Sequence, residues 1–154
     1  MNRPVKCAAP ALVATTAFSL VALLGTSASA ATLYSERASS TSTSPTLDAN
    51  CNEVTGYENP RATAGLACFR PYGDKFYVRD TLADGHHIEV RGTVNRTGDN
   101  FRCYEHGGSA AGWQVCDGFH DEIPENSTIY WEIGLWEGGT LLGTGGDPKF
   151  SSTS

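Results

Sequence analysis

The chain has 154 residues, with eleven basic against seventeen acidic side chains and a formal net charge of −6. Its first thirty residues hold two of the basic and none of the acidic groups, so a chain without them carries −8. A protein this acidic repels phosphate backbones and anionic headgroups, which excludes nucleic acid and membrane surfaces as partners.

The N-terminus reads as a signal peptide. Arg3 and Lys6 precede an apolar run, Ala11 to Gly25, and Ala28-Ser29-Ala30 is a small-residue cleavage signal that places the cut before Ala31. The run is short and broken by Thr15, Thr16 and Ser19, which argues against a retained anchor. Cys7 lies before the apolar run, so it is not placed as a lipoprotein cysteine. Residues 31–50 are rich in Ser and Thr and read as a flexible arm. One domain is expected over 51–148, with 149–154 as a flexible tail.

Four cysteines remain after processing: Cys51, Cys68, Cys103 and Cys116. Export exposes them to oxidising conditions, so an even number implies two disulfides. Four cysteines allow three connectivities. The short polar, glycine-containing connections favour Cys51–Cys68 and Cys103–Cys116.

The apolar segments after Cys51 are short, alternate with period two and end at Gly, Asp, Asn or Pro. Strands are expected at 66–70, 75–82, 86–94, 100–105, 113–117, 127–136 and 140–144. About seven such strands describe an all-β protein, an antiparallel β-sandwich of immunoglobulin-like or similar Greek-key type.

The stretch Val78–Gly92, VRDTLADGHHIEVRG, sorts best as a hairpin. A three-residue loop Ala83-Asp84-Gly85, with Gly85 left-handed, pairs Val78 with Val90 on an apolar side and Arg79 with Glu89 on a polar one. Neighbouring strand residues point to opposite faces, so His86 and His87 are not expected to chelate one ion.

Cys103 with His106 and Cys116 with His120 mimic a zinc spacing, but exported thiols oxidise and the disulfide takes precedence. Asp117, Asp121, Glu122 and Glu125 read as a solvated acidic loop; a carboxylate-dependent glycan hydrolase built on Asp117, Asp121 or Glu122 is the least remote enzyme reading. A calcium site built on Asp80, Asp84 and nearby carbonyls has no supporting pattern. No metal, no cofactor and no catalytic residue is expected. Asn95 and Asn126 match the glycosylation pattern and fall where turns are expected.

The strand near the C-terminus carries the binding hint. Ile129, Trp131, Ile133 and Leu135 alternate onto a core face, leaving Tyr130, Glu132, Gly134 and Trp136 on the other. Tyr130 and Trp136 with Glu132 between them suit a sugar ring or a partner protein.

The Val-x-Asp-Thr-x-Ala-Asp-Gly stretch at 78–85, the later Gly-Trp-Gln-Val-Cys at 112–116 and the STIYWEIGLWEGG strand at 127–139 resemble small secreted actinobacterial proteins with a disulfide-forming cysteine pair. The resemblance covers Leu66 to Gly139. It implies an exported β-sandwich and, since those proteins have no assigned activity, no functional residues. Many of them carry a further cysteine in the last strands, where this chain has none after Cys116. The chain also loosely resembles proteinaceous inhibitors of amylases and proteases, without their Trp-Arg-Tyr motif. The reading is therefore a secreted, monomeric, non-catalytic β domain that recognises a glycan or a protein partner, with inhibition of a secreted hydrolase as the alternative.

Overall fold

The computed structural model describes residues 30–154, so the expected signal peptide, Ala30 apart, lies outside the described residues. Among those described, no helix is long and apolar enough to cross a membrane. The protein is a β-sandwich. One sheet holds, from edge to edge, β1 (Leu33–Arg37), β7 (Asn100–Tyr104), β6 (His87–Val94) and β9 (Thr128–Glu137); β10 (Thr140–Thr144) and β11 (Lys149–Ser152) share the far edge of β9. The other runs β2 (Ser39–Ser40), β8 (Gln114–Cys116), β5 (Lys75–Asp80), β4 (Thr63–Arg70), β3 (Cys51–Thr55).

All seven expected strands are present, and β1, β2, β3 and β11 bring the number to eleven. The added strands are edges, which use backbone hydrogen bonds more than apolar side chains. The segment expected to be a flexible arm supplies β1, which pairs in parallel with β7, and β2, which pairs with β8 in the opposite sheet. It crosses from one sheet edge to the other at the buried Ala38. The tail is also built in. β11 pairs with β9, and Ser151 Oγ accepts the Trp131 indole N–H at 3.1 Å, giving that buried ring its polar partner.

The expected hairpin is not formed. β5 pairs with β4 and β8, whereas β6 pairs with β7 and β9, so residues 81–86 carry the chain from one sheet to the other. Thr81 N–H still bonds Ala64 O, prolonging the β4–β5 ladder. Side-chain turns then steer the crossing: Asp80 accepts from Leu82 N–H and Asp84 from His86 N–H. Gly85 does take a left-handed φ of 84°. Val78 and Val90 are both fully buried but face one core from opposite sheets, so Arg79 and Glu89 are not cross-strand partners.

The core is dominated by aromatics. Phe76 has Phe69, Phe101, Phe119 and Trp131 around it, with ring centroids 4.9 to 6.2 Å away. Sheet separation is set partly by Gly65, where a Cβ would come within 2.3 Å of Ile88 in the other sheet. Both disulfides have the expected connectivity. Cys51 and Cys68 are directly opposed on β3 and β4, while Cys103–Cys116 is buried and ties β7 to β8 across the two sheets.

Candidate binding face and the cleft at its end

Strand registers arrange the outward residues of the six-stranded sheet into rows. Leu33, Asn100, Thr93, Tyr130 and Phe150 form one row from β1 to β11. The next places Ser35, Arg102, Arg91 and Glu132 side by side, and the third aligns Arg37, Tyr104, Glu89 and Gly134.

The third row holds a charge hub. The Glu89 side chain has no exposed surface, yet its carboxylate accepts from Arg91 Nε at 2.9 Å, from Arg102 Nε at 3.0 Å and also from Arg102 Nη2, with His87 Nε2 at 3.0 Å. Burial pushes this carboxyl up, but the hydrogen bonds from Arg102, His87 and Arg91 outweigh it, and its pKa lies below the ordinary value. Each guanidinium also lies over an aromatic ring, Arg91 over Trp136 at 3.5 Å and Arg102 over Tyr104 at 4.6 Å.

That stacking decides the candidate aromatics. Trp136 points to the outer face as alternation requires but is only 8 % exposed. Its ring lies back over Gly134, where a Cβ would meet Trp136 Nε1 at 2.7 Å and Leu141 at 2.8 Å, and Arg91 covers it. It does not form an exposed pair with Tyr130. Tyr130 is half-buried, packs edge-on against Phe150 at 5.3 Å, and with Glu132 lines a groove of about 420 Å³. Thr93, Asn100, Arg91 and Arg102 also line it, and Thr93 bonds Asn100 at 2.9 Å. Leu33 and Phe150 stand 61 % and 68 % exposed at the two ends of the same row.

Arg102 and Glu89 also border a larger hollow of about 810 Å³, formed where the 81–86 crossing meets the loop after β7. His86, His87 and His106 all line it. The alternation argument separating His86 from His87 does not apply, because His86 precedes the regular strand. His87 and His106 stack at 5.0 Å. His86 Nδ1 stands 3.2 Å from Asp84 Oδ2 without hydrogen-bond geometry.

Two buried acids line the same hollow. Asp80 is pushed up to about 6 by burial, against the Leu82 N–H that holds it down, with Glu105 and Asp84 raising it further. Glu105 accepts from Gly108 N–H and from Gln114 Nε2 at 2.7 Å, both on Oε1, and its Oε2 has no partner.

The zinc spacing is closed off. Cys103 and Cys116 are joined to each other, His106 belongs to this cleft, and His120 binds Asp117 O beside a separate hollow. Among the described residues no group of three His, Cys, Asp or Glu side chains is placed to hold a metal ion. Asp117 and Glu125 border the hollow next to His120, and the Asp121 side chain is 84 % exposed. No family model, no curated protein and no solved structure matches the chain.

Proposed function

We propose that the chain is a secreted, non-catalytic domain that recognises a glycan outside the cell through the outer face of its six-stranded sheet. The supporting observation is the groove of about 420 Å³ that combines the Tyr130 ring with Arg91, Arg102, Asn100, Thr93 and Glu132 on rigid strands. Saccharide recognition asks for such a mixture, an aromatic surface for the apolar side of a ring and fixed donors and acceptors for its hydroxyls. Glu89 anchors both arginines before any ligand arrives, which lowers the ordering cost of binding. Two disulfides agree with an exported protein.

A protein partner, including a secreted hydrolase to be inhibited, is the second reading, favoured by exposed Leu33 and Phe150 at the ends of the groove. Retention on insoluble cell-wall and plant polysaccharides separates the two. The glycan reading expects retention that Tyr130→Ala and Arg102→Ala abolish, with no hydrolysis products. Salt-sensitive co-purification of a secreted protein, without polysaccharide retention, supports the second reading. Turnover abolished by Asp121→Asn overturns both.

A further inference from the structure

The cleft beside the groove holds a group the fold does not satisfy. Glu105 has no exposed surface, lines the 810 Å³ hollow, and leaves Oε2 without a hydrogen-bond partner. An unsatisfied buried carboxyl oxygen is costly, and such groups are scarce in native proteins. Asp80, also buried, lines the same hollow and lies near enough for Glu105 to act on it electrostatically. Gly107, Gly108, Gly138 and Gly139 supply part of the lining, beside the three histidines and Arg102. The cleft and the groove adjoin at Arg102, which borders both.

We infer that this cleft takes the primary ammonium group of an amino sugar, as part of the glycan whose neighbouring residues lie in the groove. The inference rests on the glycan reading and names its ligand class. An ammonium carries three donors and no acceptor, which suits the unpartnered Glu105 Oε2 with the Asp80 carboxyl beside it. An acetylated nitrogen has neither the charge nor the spare donors. A hollow of about 810 Å³ has room for a pyranose ring, and the overall negative charge assists a cationic ligand.

The test is calorimetric titration of the folded protein with two hexamers, one of glucosamine and one of N-acetylglucosamine, and with Nα-acetyl-lysine amide as a non-sugar ammonium. The free-amine hexamer should bind at least about tenfold more tightly than its acetylated counterpart, and Glu105→Gln should remove that preference. Asp80→Asn, which keeps the Leu82 cap acceptor, should reduce the preference in the same direction if Glu105→Gln fails to fold. Equal binding of both hexamers overturns the ammonium assignment and leaves the glycan groove standing. Lysine amide binding as tightly as the amine hexamer overturns the amino-sugar assignment. Binding of neither hexamer, with Tyr130-dependent retention on another polysaccharide, also overturns the inference while the groove survives. Without such retention both fall.

Discussion

Asp74 and Asp80 bracket β5, one just before its first residue and the other its last, and both are buried. Between them Phe76 and Val78 are also fully buried, so the two acids extend the buried alternation at either end of the strand. Both carboxyls are pushed up to about 6 from 3.8, burial being the main cause in each, with Glu125 adding to it at Asp74 and Glu105 and Asp84 at Asp80.

The folded state therefore holds these protons more tightly than the unfolded chain. The stability they favour is fully present below pH 3.8 and lost as pH rises through about 6. Each shift of roughly two units corresponds to at most about 3 kcal/mol. Urea unfolding at pH 4.5 and pH 7.5 should show the protein more stable at the lower pH. Asp74→Asn and Asp80→Asn should each raise stability at pH 7.5 by about 1–3 kcal/mol and flatten the profile.

Glu89 has the opposite sign. Its carboxyl is held below 4.5 in the folded state, so its contribution is present above that pH and is lost as pH falls through the folded value. Glu89→Gln should destabilise the protein at pH 7 by about 1–3 kcal/mol, less than for a fully buried pair because Arg91 and Arg102 keep access to water. Releasing Arg91 should also uncover Trp136, seen as increased acrylamide quenching of its fluorescence.

The two disulfides should leave no titratable thiol among Cys51, Cys68, Cys103 and Cys116. Replacing Cys103 and Cys116 together by alanine should cost about 2–4 kcal/mol, measured by thermal unfolding. The loop closed in sequence is short, but the bridge ties one sheet to the other.

Gly65→Ala should destabilise by about 1–3 kcal/mol, because the new methyl meets the Ile88 side chain from the facing sheet. Shortening that side chain with Ile88→Val should recover part of the loss in the double variant. Additive losses would mean that this contact does not set the sheet spacing.

Alternation along a strand reports which face is buried, and Ile129, Trp131, Ile133 and Leu135 are all buried on the face it gives. It does not report the partner strand. Val78 and Val90 meet the same burial requirement across a sandwich as they would across a hairpin, and nothing in VRDTLADGHHIEVRG distinguishes the two arrangements. Alternation puts Trp136 on the correct face, but its burial depends on the gap above Gly134 and on Arg91, 45 residues away on another strand. β1, β2 and β11 escaped notice because Ser- and Thr-rich edges are held by backbone pairing. Glu36 ties this arm down further, its carboxylate accepting from the Asp117 and Gly118 N–H groups at 3.0 and 2.9 Å. The cleft was illegible because the 81–86 crossing, the loop after β7 that holds Glu105 and the turn at Gly138 are brought together only by the sandwich topology.

The most direct test is amide chemical-shift mapping by nuclear magnetic resonance, using a soluble oligomer of whichever polysaccharide retains the protein. The account predicts saturable shifts centred on Arg91–Thr93, Asn100–Arg102 and Tyr130–Glu132, extending to Glu105–Gly108 when the sugar carries free amines. Shifts confined to β3, β4 and β5 of the opposite sheet, or none at saturating oligomer, would contradict it.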